Sequence, residues 1–189
     1  METNIRLAGI SGSLRKDSFN TMLLNAAKNL LPEGVTMEII SIADLPMYNG
    51  DLDIPSTTQR PDSVEQFRDA LAKADALVIV SPEYNYSIPG GLKNAIDWAS
   101  RGKDSPILNK PVALMGATPG LWGTIRMQQA FLPVFQTLNM KPVYKPEILL
   151  AQANTKFDEQ GNLIDKTAEE LISKKLLALK EAVLANLKE

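Results

Sequence analysis

Cysteine and histidine are both missing from the 189 residues, and their absence excludes much chemistry. Without cysteine there is no disulfide, no thiol nucleophile and no thiol redox couple, and with neither residue there is no Cys/His zinc site. A Ser-His or Cys-His pair of nucleophile and base is excluded with them. A surplus of one charge is also lacking: charged residues make up 22% of the chain and the formal net charge is −2. That is not the strongly basic signature of a nucleic-acid binder, so no nucleic-acid partner is expected. Long apolar runs are absent as well. The longest in a strand-like segment is Ala76–Val80, far too short to span a bilayer, so no membrane partner is expected. Met1–Asn4 runs straight into strand-like residues without a charged head, an apolar stretch or a cleavage site. The expectation is therefore no signal peptide and a cytoplasmic protein. Chemistry is left to carboxylates, Lys, Tyr, Ser, backbone dipoles or a bound cofactor.

What is present alternates between two periods. Asn4–Ser11 reads as a first strand, and Phe19, Leu23, Ala26 and Leu30 then recur at helical spacing until Pro32 and Gly34. Val35–Ile42 alternates, with Met37, Ile39 and Ile42 apolar, and reads as a second strand, and Val64–Lys73 reads as a helix. Ala76–Val80 is continuously apolar, as a parallel strand buried on both faces should be. A helix over Gly90–Ser100, a strand over Pro111–Ala117, a helix over Thr124–Leu138 and a strand near Val143–Leu150 follow. The last helix spans Lys166–Leu187, with a stripe at Ala168, Ile172, Leu176, Leu179, Val183 and Leu187. Strands alternating with helices predict a single α/β domain over residues 1–189. The expected fold is a flavodoxin-like, doubly wound, five-stranded parallel sheet of order 2-1-3-4-5, with helices on both faces. Ala43–Ser63, rich in Pro, Asp and Thr, is a long loop of the kind that is functional or disordered. Lys156–Asp165 predicts a small hairpin around Gly161.

In such a sheet, ligands bind beyond the carboxyl ends of strands 1 and 3. The loop after the first strand, Ser11–Asn20 (SGSLRKDSFN), gathers Ser11, Ser13, Arg15, Lys16, Ser18 and Asn20 before a helix N-terminus. Hydroxyls, a guanidinium and free N–H groups there suit a phosphate dianion. The equal alternative is an ordinary Ser18 N-cap beside a solvated Arg15. The loop is neither a P-loop nor a GxGxxG fingerprint, which argues against phosphoryl transfer and a Rossmann grip on NAD. The loop after the third strand, Ser81–Trp98 (SPEYNYSIPGGLKNAIDW), joins two tyrosines to Gly90 and Gly91, which allow close approach to something flat. Trp98 reads as core. Tyr84 and Tyr86 read either as ligand walls or as interface aromatics, and Lys93 and Asp97 as a solvated helix pair. In the loop Ala117–Gly123 (ATPGLWG), the amides of the Gly120–Thr124 turn and the next helix N-terminus are candidate stabilisers of negative charge; alternatively, Trp122 covers the core.

These three loops resemble the NADPH-dependent FMN reductase family, and its bacterial quinone, chromate and azo-compound reductases in particular. The resemblance runs from Ile5 to about Leu150 and is most specific in the second loop. It implies a flavodoxin-like fold that holds FMN non-covalently. It places Ser11, Ser13, Arg15, Ser18 and Asn20 at the FMN phosphate, with Leu14 among them. Pro82, Glu83, Tyr84 and Asn85 would line the flavin ring. Ala117, Thr118 and Gly120 would lie at its pyrimidine edge, where many relatives carry a hydroxyl near the position of Ala117. The implied reaction is ping-pong: NADPH or NADH delivers hydride to FMN, and a quinone, azo compound, nitro compound or metal oxyanion such as chromate takes two electrons. No protein side chain need be catalytic, since the cofactor carries the chemistry. The resemblance also implies a homodimer or homotetramer. Leu45, Pro46, Met47, Tyr48 and Tyr86 are the expected interface residues, and Arg126 and Glu147 an ion pair across it. The alternatives are a non-catalytic, flavodoxin-like electron carrier and a flavin-free module for a phosphate ligand. A net charge of −2 is not the strongly acidic surface such carriers use for docking.

Overall fold

The computed structural model describes residues 4–53 and 60–188. Residues 54–59 of the expected long loop, and the start of the chain on which the absence of a signal peptide was read, lie outside the described residues. The strands are β1 (Ile5–Ser11), β2 (Val35–Ile39), β3 (Ala76–Val80), β4 (Pro111–Ala117), β5 (Lys141–Pro142) and β6 (Ile148–Leu150). The helices are α1 (Phe19–Asn29), α2 (Asp62–Ala72), α3 (Gly90–Ser100), α4 (Ile125–Thr137) and α5 (Lys166–Asn186).

The strands form one parallel sheet in the order β2-β1-β3-β4-β5, with β6 also paired to β4. This is the flavodoxin-like arrangement. β3 lies at its centre with every residue buried. Its side chains alternate between two cores. Ala76, Val78 and Val80 join α1 and α5 through Leu23, Leu24, Ile172, Leu176 and Leu179. Leu77 and Ile79 join α2, α3 and α4 through Phe67, Leu71, Leu92, Phe131 and Phe135.

Three departures from the sequence reading have local causes. The second strand, expected over Val35–Ile42, ends at Ile39, which is 37% exposed while Ile40 and Ile42 beyond it are buried. The chain leaves the ladder here: β2 ends at Ile39 and the Ile40 amide makes the last bond to Gly9 O, at 2.8 Å, so the alternation loses its phase. The single strand expected near Val143–Leu150 is two pieces flanking β4's edge, giving six strands rather than five. Pro142 and Pro146 carry no N–H for a ladder, and prolines are confined to such edges. On α5, Leu187 falls past the last packed turn and is 59% exposed, whereas Lys175, absent from the expected stripe, is buried. The turn after β6 is closed by a single Phe157–Leu163 bridge around Gly161, whose φ is +82°, in keeping with a small hairpin.

Candidate functional site

The loops leaving β1, β3 and β4 meet at the carboxyl edge of the sheet because small residues let them touch. A Cβ on Gly12 would sit 2.5 Å from Ser81 Oγ and 2.8 Å from Ser81 Cβ. A Cβ on Gly116 would collide with Thr124 Oγ1 and come within 2.7 Å of Ser81 O. Asn20 adds a polar clamp: its Nδ2 donates to Ala117 O at 2.9 Å and its Oδ1 accepts from the Ala117 amide at 2.8 Å. The buried Asn20 side chain therefore fastens the start of α1 to the end of β4.

In the first loop, Ser11 Oγ lies 2.9 Å from Thr21 Oγ1 and accepts from the Ser13 amide at 3.3 Å. Ser13 is buried, and its Oγ accepts from the Arg15 amide at 3.3 Å. Ser18 is the N-cap of α1 and accepts from the Asn20 amide, so the capping alternative holds for that residue. Arg15 is exposed and its guanidinium donates back to Asp17 O. Leu14 is 62% exposed and lies over Gly91 at the start of α3. Next to it, a Cβ on Gly90 would meet nothing within 4 Å. Packing therefore does not demand a glycine there, and the open space suits close approach of a flat ligand.

In the second loop, Pro82 is buried and Tyr84–Ser87 closes as a tight turn. The Tyr84 and Ser87 amides each donate to the other residue's carbonyl, at 3.2 and 3.0 Å. Asn85 and Tyr86 both occupy left-handed backbone, with φ of +50° and +62°. Asn tolerates this; a tyrosine there is strained. Glu83 turns inward and caps α4: its Oε2 accepts from the amides of Arg126 at 2.9 Å and Met127 at 3.1 Å. Its Oε1 accepts from Arg126 Nη1 at 3.4 Å. The expectation that the α4 N-terminus is open to a ligand is thereby corrected, since a carboxylate of the protein already occupies it. Thr124, at the N-cap position, has φ of +69° and its buried hydroxyl has no partner among the described residues; Glu83 caps the helix in its place.

In the third loop, Ala117 is buried and clamped by Asn20, Thr118 Oγ1 accepts from the exposed Gly120's amide at 3.2 Å, and Trp122 is 67% exposed. Trp122 therefore does not cover the core; it stacks on Arg126. The guanidinium carbon of Arg126 lies 5.1 Å from the Trp122 ring centroid and 4.2 Å from that of Tyr86. Nothing in the sequence announced this stack, because Tyr86 comes from a loop some forty residues before Trp122 and Arg126.

Around the site, the expected interface segment is largely spoken for. Trp98 is buried, as expected of a core residue, and its Nε1 donates to Pro46 O at 2.8 Å. The Tyr48 ring meets Trp98 edge-on at 4.9 Å, and the Tyr48 amide donates to Asn94 Oδ1 at 2.7 Å. Leu45 packs into the core, leaving only Met47, 78% exposed, free of that segment. Arg126 and Glu147, expected to pair between subunits, each have a partner within the chain. Arg126 is held by Glu83, and Glu147 pairs with Lys145 at 3.3 Å. Lys93 and Asp97 form the expected helix pair. Beneath α4 a cavity of about 250 Å³ is lined by Ile125, Leu132, Phe135, Tyr144 and Lys175, among others. Lys175 Nζ donates to Val143 O at 2.5 Å, and burial lowers its pKa to about 8. No group of acidic side chains that could hold a metal occurs among the described residues.

The hydroxyls, the exposed guanidinium of Arg15 and the open face of Gly90 together fit a ligand with a phosphate at one end and a flat ring at the other. Similarity to known proteins agrees with that shape. Residues 5–155 match the family model for NADPH-dependent FMN reductases. The chain is 44% identical to an NAD(P)H-dependent FMN reductase of Pseudomonas aeruginosa, over 95% of each chain. It is 36% identical to a quinone reductase of Escherichia coli, over 97% of each. Among solved structures it superposes on FerB, a flavoenzyme NAD(P)H:(acceptor) oxidoreductase from Paracoccus denitrificans. The TM-score is 0.85, with 29% identity, covering 96% of this chain and 98% of that one.

Proposed function

From its membership of the NADPH-dependent FMN reductase family, we propose that this chain is an FMN-dependent NAD(P)H oxidoreductase whose acceptor is a quinone. The observation that carries the reading is the meeting of the β1, β3 and β4 loops at one crevice, in a sheet whose switch point is where ligands bind. Ser11, Ser13, Arg15 and the first turn of α1 would hold the FMN phosphate. Ser18 would contribute its cap position, and Leu14 would cover one side. Pro82, Glu83, Tyr84 and Asn85 would line the ring through their backbone. Ala117, Thr118 and Gly120 would meet its polar edge, with Asn20 fixing the distance between the two ends of the site. FMN, when bound, supplies the hydride-accepting and hydride-donating chemistry. The chain's own residues orient both substrates and exclude competing geometry. The absence of histidine and cysteine is no handicap to that division of labour.

The nucleotide and the acceptor would occupy the one crevice in turn, which makes the kinetics ping-pong. Azo compounds, nitro compounds and metal oxyanions such as chromate would be further acceptors by the same two-electron route. Purified protein should be yellow, and FMN at about 100 times its dissociation constant should stabilise it by roughly 2.7 kcal/mol. Steady-state kinetics with NADPH, NADH and a panel of acceptors should give parallel double-reciprocal lines. A protein that binds FMN but oxidises neither nucleotide is the electron carrier instead, and one that FMN does not stabilise overturns the reading.

A further inference from the structure

The stacked guanidinium of Arg126 has no task in the reading above. Its guanidinium carbon lies over two rings, 4.2 Å from the centroid of Tyr86 and 5.1 Å from that of Trp122. Among the described residues only Glu83 accepts from it, through Nη1, so Nε and Nη2 keep their donors free. A guanidinium held against two rings with two of its donor nitrogens unused can take two oxygens of a phosphate at once. Glu83 offsets this charge only in part. Its carboxylate also caps two amides of α4 and is only 12% exposed, so its negative charge is shared with the helix N-terminus. The rings themselves are 71% and 67% exposed. With Arg126 over one face of each ring, this exposure leaves aromatic surface on which a base or nicotinamide can stack. The chain also tolerates left-handed strain at Tyr86 to hold its ring there, and such strain is kept where the surroundings need it.

We propose that Arg126 binds a phosphate of the reduced nicotinamide dinucleotide, with Tyr86 and Trp122 as positioning residues that fix its fork. This rests on the reductase reading. The phosphate is either the 2′-phosphate that distinguishes NADPH from NADH or the pyrophosphate that both carry, and the two are separable by experiment. The first measurement is binding: titrate the FMN-loaded protein calorimetrically with NADP⁺ and with NAD⁺, for wild type and for Arg126→Gln. Loss of about 10- to 100-fold in affinity is expected, for NADP⁺ alone if the 2′-phosphate is held and for both nucleotides if the pyrophosphate is. Arg126→Lys should lose less, because it keeps the charge without the fork. The second measurement is the ratio of KM for NADPH to KM for 1-benzyl-1,4-dihydronicotinamide, which delivers hydride but has no phosphate. That ratio should rise by the same factor in Arg126→Gln, whereas damage to the fold or to the flavin site would worsen both reductants together. Unchanged binding of both nucleotides, or a ratio that does not move, overturns the assignment of Arg126. A wild-type protein that oxidises neither reductant overturns the reductase reading instead.

Discussion

A single amide side chain spans the crevice. Asn20 satisfies both the N–H and the C=O of Ala117, so truncating it leaves two buried backbone groups without partners. Asn20→Ala should cost roughly 2–4 kcal/mol in urea unfolding, since each orphaned group costs about 1–3 kcal/mol; a loss under 1 kcal/mol would mean that water replaces the amide. Arg15 behaves oppositely. It is exposed and, among the described residues, its side chain hydrogen-bonds only Asp17 O, so the empty protein has little use for it. Arg15→Ala should weaken FMN by about 30- to 1,000-fold, from the loss of two charge-assisted hydrogen bonds partly offset by Lys16 and the serines. Riboflavin, which has no phosphate, should bind wild type and variant alike, and fluorescence titration with both ligands checks this. The hydroxyl-rich loop was legible in the sequence because its members are neighbours along the chain. The Asn20–Ala117 clamp and the Glu83–Arg126 cap were not, because each joins residues far apart in sequence and neither residue type is unusual on its own.

Among the elements, β3, α3 and β4 appear where periodicity predicts them, since a strand buried on both faces and a glycine-led helix leave strong local signals. The edge strand was misjudged because alternation takes no account of missing N–H groups. Where β5 gives way to β6, α5 supplies the missing donor: Lys175 reaches Val143 O, and the lysine is buried at the cost of a pKa lowered to about 8. The sign of the consequence follows from linkage. Between pH 8 and the ordinary lysine pKa near 10.4, the unfolded chain binds the proton that the folded one has released, so this group makes stability rise with pH. From pH 7 to pH 10 the gain from Lys175 is roughly 2–3 kcal/mol. Denaturant unfolding of wild type and Lys175→Met across that range should show the rise in the wild type and its loss in the variant; equal slopes would mean that the buried amine titrates normally.

At the scale of the molecule, the surface over α4 is the candidate for self-association. Ile125, Leu132 and Tyr144 are 36%, 46% and 62% exposed around the cavity beneath that helix. Burying them against a second copy would account for a homodimer or homotetramer. Light scattering at micromolar concentration should give a multiple of the chain mass, and Leu132→Glu should lower it; a monomeric mass for the wild type would reject the face. The segment around Met47 is a poor substitute, because Pro46 and Tyr48 are already tied to α3. The broken edge of the sheet bears on the same question from the side of solubility. An intact outermost strand would offer a row of unpaired amides and carbonyls as a template for strands of other chains. Here that row is cut between Pro142 and Ile148, and Lys175 occupies one of its acceptors. A strand of another chain therefore finds no continuous ladder to extend at this edge, and the broken strand acts as a guard against edge-to-edge growth there.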